Sequence, residues 1–366
     1  MVEPTLRVAV VLSRNMRFSE DGATAIDLSA RDFALFSRHI ATLRVFAEPV
    51  ATPFPGVDFE GVAFARGPFG ARALVGALRR FEPDVVVVHH HFPTACAVAA
   101  ALDAPVVFHR HALMKPRRNS LRRWLDRRAL TRFAGVVANS AFNADALRAA
   151  FPVIAERVRV VHNGLDLLRW APAVERAREV LFVGRAHPEK GAIEAAEGAA
   201  LALAERRDWR ATFVLSRAAQ GSESVAAVER ALRPLGARAT ILCDQRHDVA
   251  RAAFERAAIA LSPSIYGEAF GRVLIEAFAG GAAAITSGRG ALAEVAGDAA
   301  LILPEVSGRG VAAALGSLID DPARRTALAR AGRARCAAEF AIGTVAARRD
   351  AALEEAAATW KHGRGR

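Results

Sequence analysis

A chain of 366 residues with a formal charge of +12 is longer than one typical core holds and suits two domains. Its 52% hydrophobic content excludes a disordered or fibrous protein. Cys96, Cys243 and Cys336 stand in no metal or disulfide spacing, which points to a reducing cytoplasm. No apolar run reaches the ~20 residues a bilayer span needs. Met1 to Ser13 reads as a charged start leading into a short strand, without a signal-peptide pattern.

Short apolar runs alternate with amphipathic segments along the whole chain, the pattern of a parallel α/β architecture. In the first half, strands are predicted at Arg7–Leu12, Thr42–Phe46, Asp84–Val88, Pro105–Phe108 and Gly135–Ala138. The loop after the first strand runs from Ser13 to Ala25 and contains an Asp21-Gly22 turn. His89 to His91 close one Val-rich strand, and F-H-R-H at 108–111 closes the next. Strand ends in a parallel sheet face the ligand crevice. At least two of the first three histidines are read as a polar strand cap. A zinc site there would lack carboxylates or thiols at readable spacing.

Lys115 to Arg132 holds eight basic residues and one acid, which accounts for the whole net charge of residues 1–168. It is predicted as a helix from about Asn119 with an apolar stripe of Leu121, Trp124, Leu125, Ala129 and Leu130. The plain reading is a surface helix covering a sheet. The functional one is contact with an anionic membrane or a negatively charged acceptor. Forty-seven of the 50 basic residues are arginine, a bias of composition more than of binding. No nucleic-acid-binding motif accompanies the charge, so no nucleic acid partner is expected.

The pattern breaks between Asp166 and Glu175, at Asn-Gly, Trp170 and Ala-Pro-Ala, where a linker is placed. Beyond it, strands are predicted at Val180–Val183, Thr212–Leu215, Thr240–Cys243, Ile259–Ser262, Ala284–Thr286 and Leu301–Leu303. Two stretches carry chemistry. V-L-F-V-G-R-A-H-P-E-K-G (180–191) is a strand, a turn at Gly184, then Arg185 and Lys190 around a helix start. A planar fork of donors and a point charge there suit a leaving diphosphate. G-E-A-F-G-R-V-L-I-E (267–276) sets Glu268 and Glu276 on either side of a loop-to-helix junction near Gly271. The unpaired amides of such a junction bind phosphate. Two acceptor groups flanking an anion site fit a nucleotide-sugar, with hydroxyls on both sides of its diphosphate.

V-G-R-x-x-P-E-K-G at 183–191 followed by E-x7-E at 268–276 resembles the retaining glycosyltransferases of family 4. V-H-N-G-L-D (161–166), A-N-S-A-F-N (138–143), S-P-S-I-Y-G-E-A-F-G (262–271) and G-A-L-A-E-V (290–295) fit in order. The resemblance implies a GT-B fold, two Rossmann-like domains facing each other across a cleft. Residues 1–168 would form the acceptor-side domain, with a C-terminal helix at about 343–362 packing back on it. Residues 169–342 would bind the donor.

It also implies roles. Arg185 and Lys190 would stabilise the departing diphosphate, and Glu268 would hold sugar hydroxyls beside the amides of Ala269, Phe270 and Gly271. Glu276 would accept from the ribose. His111 would touch the transferred sugar, with His109 as the alternative. Where the family carries a Gly-Gly pair, this chain has Gly22-Ala23, so Gly22 alone is left to approach the donor. Base recognition falls to Asp244 to Arg246. Front-face attack needs no side-chain base, and without a D-x-D motif neither metal nor cofactor is expected. The expected function is sugar transfer from a nucleoside-diphosphate-sugar to a sugar, lipid-linked or small-molecule hydroxyl in glycan, glycolipid or lipopolysaccharide biosynthesis. It would take place in the cytoplasm or on the inner membrane face. The alternatives are a GT-B epimerase, an inverting transferase or a non-catalytic nucleotide-sugar binder. The absence of G-x-G-x-x-G after the first strand argues against a nicotinamide enzyme.

Overall fold

The computed structural model describes residues 5–14, 16–64, 70–116 and 119–364, with side chains to 360. They form two compact units, Met1–Gly164 with Ile342–Arg366, and Leu165–Ala341. The first is built on β1 (Val8–Leu12), β2 (Leu43–Ala47), β3 (Asp58–Gly61), β4 (Val85–His89), β5 (Val106–Arg110), β6 (Gly135–Ala138) and β7 (Val158–Val160). They pair in the order β3-β2-β1-β4-β5-β6-β7, every pair parallel. Helices α1 (Ala25–Leu35), α2 (Arg72–Phe81), α3 (Phe92–Ala101), α4 (Ser120–Leu130) and α5 (Ala141–Ala150) connect them.

β1 explains why these strands read as unbroken apolar runs. Val8, Val10 and Leu12 pack on one face of the sheet with Phe33 of α1, while Ala9 and Val11 pack on the other with Leu74 and Val98. Both faces are covered, so no polar alternation survives. Two strands lie outside the expected set, β3 and β7. β3 is an acidic edge strand whose Asp58 and Glu60 accept from Arg44 at 2.7 and 3.1 Å. Charge on an edge blocks further pairing and hides the strand from a hydrophobicity search. β7 has only three residues.

The second unit contains β8 (Ala177–Arg185), β9 (Arg210–Ser216), β10 (Ala239–Cys243), β11 (Ala257–Ser262), β12 (Ala283–Thr286) and β13 (Ala300–Ile302), ordered β10-β9-β8-β11-β12-β13 and again parallel. Its helices are α6 (Ala192–Leu203), α7 (Ser222–Leu232), α8 (His247–Arg256), α9 (Arg272–Gly280), α10 (Ala291–Ala296), α11 (Gly308–Ile319) and α12 (Pro322–Glu339). The order reverses between β8 and β11, each followed by a segment singled out for its chemistry. Ligands of open parallel sheets bind at such reversals.

The last helix, α13 (Ile342–Arg364), belongs to the first unit. Val345, Ala346 and Leu353 enter the core beside β1 and Phe33. Asp350, buried, accepts from Ser37 Oγ at 2.9 Å and the Arg38 amide at 2.8 Å, and pairs with the buried Arg349.

One sequence expectation is inverted. In α4, Leu130 and Asp126 are buried, whereas Leu121, Trp124 and Leu125 are 64%, 53% and 50% exposed. Most of the expected apolar stripe therefore faces water, and the helix is attached mainly along its Asp126–Leu130 edge. Arg117 and Arg118 lie outside the described residues.

Replacing Asp350 by alanine leaves the Arg349 guanidinium buried without its carboxylate, which costs about 3–5 kcal/mol. Urea denaturation should register a loss of that order, and a change below about 1 kcal/mol would contradict this account.

Candidate active site

The turn after β8 positions the first cation. Pro188–Lys190 forms a single helical turn, and the Glu189 carbonyl accepts from the Ile265 amide at 2.8 Å. That bond holds the turn against the segment after β11. Lys190 Nζ donates to Glu268 Oε1, and both side chains are largely withdrawn from water. Ser264 Oγ donates to the same oxygen at 2.6 Å. The Lys190 ammonium also lies 5.7 Å from the Tyr266 ring centre.

Glu268 is fixed through its backbone as well. Its amide donates to the Arg289 carbonyl at 3.3 Å and its carbonyl accepts from Ala291 at 2.9 Å, pinning it to the start of α10. This approach needs glycine at 290, where a Cβ would lie 2.5 Å from the Glu268 carbonyl oxygen. Gly271 caps α9 at φ 88°, a left-handed conformation, and a side chain there would collide with Leu292. Ala269 and Phe270 are buried, Phe270 edge-on to Phe340 at 5.8 Å.

Arg185, the last residue of β8, is half-buried, and its guanidinium makes no ion pair among the described residues. Gly184 precedes it on the strand. Arg185 acts on Tyr266, whose hydroxyl pKa is raised by burial and by the carboxylates of Glu268 and Glu189, with Arg185 opposing. Arg185, Lys190, Tyr266 and Glu268 thus share one neighbourhood.

Glu276 occupies a separate, tighter setting on α9. Its Oε1 accepts from Arg272 Nε and from His247 Nε2, both at 3.0 Å. Burial acts to raise its pKa, but His247 and Arg272 together outweigh burial and hold it below the usual carboxylate value. Arg272 is legible from its i,i+4 spacing to Glu276. Ser264, Tyr266 and His247 were not singled out by sequence reasoning. His247 lies 29 residues from its partner with no spacing rule to connect them. Asp244 to Arg246 are exposed, with Asp244 Oδ1 accepting from the Ala218 amide at 3.2 Å.

In the first unit, the β4 and β5 ends carry a histidine cluster. His89 and His109 are register partners on one sheet face, and His111 follows two residues on. His89 Nδ1 lies 2.9 Å from His111 Nε2, and the His109 and His111 rings stack at 4.1 Å. His109 is wholly buried with neither ring nitrogen partnered, while His111 keeps some exposure. His91 bonds Thr94 Oγ1 at the start of α3. Gly22, at φ 71°, sits exposed in the turn before α1.

Nitrogens of His89, His109 and His111 lie within 4.8 Å of one another, the donor set of a three-histidine metal centre. The charges acting on it include the guanidinium of Arg349, on His89 and His109, and that of Arg110, on His111. Positive charge there opposes a divalent cation.

Residues 33–169 match glycosyltransferase family 4, and residues 168–335 match glycosyl transferases group 1. The glycogen synthase of Mycobacterium tuberculosis (strain CDC 1551 / Oshkosh) is 32% identical over 294 residues, 74% of this chain and 69% of that protein. The chain belongs to the group 1 glycosyltransferases. A D-inositol 3-phosphate glycosyltransferase of Thermobispora bispora is 31% identical over 58% of this chain and 54% of its own length. The fold is GT-B. HepE of Anabaena, solved with UDP and glucose, has a TM-score of 0.78 at 17% identity, covering 95% of this chain and 99% of its own. Sucrose-phosphate synthase of Thermosynechococcus elongatus gives 0.78 at 18%, covering 96% and 99%.

In this glycosyltransferase the buried histidines have a measurable consequence. Burial pushes His109 down to about 3 and His90 down to about 4, and lowers His89 and His111 as well. A depressed histidine stays neutral when folded but takes a proton when unfolded, below its ordinary value near 6.5. Stability is therefore lost as pH falls below about 6.5, by up to about 1.4 kcal/mol per unit for each such histidine. Asp27 works the other way, since burial raises it to about 6 and its penalty fades as pH falls through that value. Several histidines outweigh one aspartate. Urea midpoints should drop between pH 6.5 and 5, and a flat profile would refute the buried neutral cluster.

Proposed function

We propose that this enzyme transfers a sugar from a nucleoside-diphosphate-sugar to a hydroxyl acceptor with retention of anomeric configuration. The observation that carries the reading is Lys190 and Glu268 held together at the loop-to-helix junction that opens α9, with Arg185 acting on the neighbouring Tyr266. When the diphosphate leaves, charge builds on its terminal phosphate, and Lys190 and Arg185 neutralise it in a partly desolvated setting. Glu268 orients sugar hydroxyls, and Glu276 takes the ribose. His111 touches the transferred sugar, and Gly22 lets the first loop approach the donor. With the departing phosphate drawing the acceptor's proton, no side-chain base and no bound metal are needed. UDP-glucose, present in a HepE structure, is the natural first donor to try.

The acceptor is assigned to glycan, glycolipid or lipopolysaccharide biosynthesis, presented at the inner face of a membrane. What supports a membrane contact is the outward face of α4. Leu121, Trp124 and Leu125 are exposed there, with Arg122, Arg123, Arg127, Arg128 and Arg132 around them, while the one acid of the helix, Asp126, is buried. A tryptophan among basic residues suits the headgroup layer, and each arginine near an anionic surface contributes about 1 kcal/mol. No helix among the described residues is long and apolar enough to cross a membrane.

Glu268→Ala is expected to abolish transfer, by at least about a hundredfold, with far-UV circular dichroism unchanged. Turnover near wild type in that variant removes the site assignment. NMR of the wild-type product reads the anomeric outcome, and an inverted linkage rejects retention. For the membrane contact, the protein should co-sediment with phosphatidylglycerol-rich vesicles and not with phosphatidylcholine alone, and Trp124→Glu should release it. Equal binding to both vesicle types ends that reading.

A further inference from the structure

We infer that His247 is a positioning residue for the donor's ribose, acting through Glu276. The inference rests on the proposed role of Glu276 and deepens it. Glu276 is a buried carboxylate with two donors on one oxygen, Arg272 Nε and His247 Nε2, each at 3.0 Å. Its other oxygen, Oε2, takes no hydrogen bond among the described residues. A carboxylate held below its usual pKa is ionised at neutral pH and can only accept. His247 Nε2 therefore carries a proton and donates.

Two donors from different helices define the carboxylate plane. Arg272 stands one turn before Glu276 on α9, so it moves with the helix that carries the acid. His247 opens α8, and among the described residues it is the side chain that ties Glu276 to a second element. It also directly follows Asp244 to Arg246. That loop is anchored at its other end by the Asp244 amide donating to the Leu215 carbonyl at 2.8 Å. The His247–Glu276 bond thus fastens the far end of the loop to the ribose acceptor, and both are set in one frame before a nucleotide arrives. Pre-orienting an acceptor for a diol spares the ordering cost that binding would otherwise carry. His247 is partly exposed, at 32% of its side chain, so its replacement does not open the core.

The test is calorimetric titration of the intact protein with UDP, ADP and GDP, following whichever wild type binds most tightly, and with inorganic pyrophosphate. His247→Ala should weaken the nucleoside diphosphate about tenfold, the scale of one charge-assisted hydrogen bond, and leave pyrophosphate, which has no ribose, unchanged. His247→Gln, whose Nε2 can reach the same oxygen, should restore affinity. In turnover, the loss should fall on KM for the donor and not on kcat. Wild-type nucleotide affinity in His247→Ala overturns the inference, as does an equal loss for nucleotide and pyrophosphate, which would mark general disruption. Glu276→Ala, run in parallel, separates the two levels. If it binds nucleotide like wild type, the ribose role of Glu276 fails and this inference with it. If it binds weakly while His247→Ala does not, only the role of His247 fails.

Discussion

The Lys190–Glu268 pair is the contact that joins the two segments on which the proposed donor chemistry depends. Its partners are 78 residues apart and meet because β8 and β11 are hydrogen-bonded neighbours. The turn after one strand and the loop after the other are then forced to the same end of the sheet. Neither charge would be stable alone in so enclosed a place, since an unpaired buried charge costs several kcal/mol. Ser264 shares the load on Glu268, and the Tyr266 ring faces the ammonium. On the proposed mechanism, an entering diphosphate offers Lys190 a second anion without moving it into water.

Glu276 obeys the same rule by different means. It is more deeply enclosed than Glu268, and it is kept ionised by Arg272 from its own helix and His247 from the preceding one. The histidines of the first unit show the opposite outcome. Burial beside guanidiniums favours their neutral form, in which His89 Nδ1 and His111 Nε2, 2.9 Å apart, can hold one proton between them. One principle, that enclosed polar groups take the ionisation state their neighbours can satisfy, yields an ionised acid in one unit and neutral bases in the other.

The α4 surface follows from attachment and not from composition. A helix fastened along its Asp126–Leu130 edge cannot also bury residues at 121, 124 and 125. Helical periodicity groups Leu121, Trp124, Leu125 and Arg128 on one face, and that face is the outward one. Periodicity states which residues share a face, but not which face meets the sheet.

Much was legible in the chain itself. Both sheets announced themselves through apolar runs, because strands covered on two sides leave no polar alternation to confuse. The order and spacing of V-G-R-x-x-P-E-K-G and E-x7-E marked the family, and Gly271 marked the start of α9. Edge strand β3 escaped notice because its stability comes from Arg44 on the neighbouring strand. Tertiary structure alone decided who pairs with whom: Lys190 with Glu268, His247 with Glu276, His89 with His111. Side-chain periodicity acts within one element, whereas these contacts join elements that only sheet order and helix packing bring together. A sequence can therefore name the chemical groups of a site, but their ionisation and aim are settled by neighbours distant in the chain.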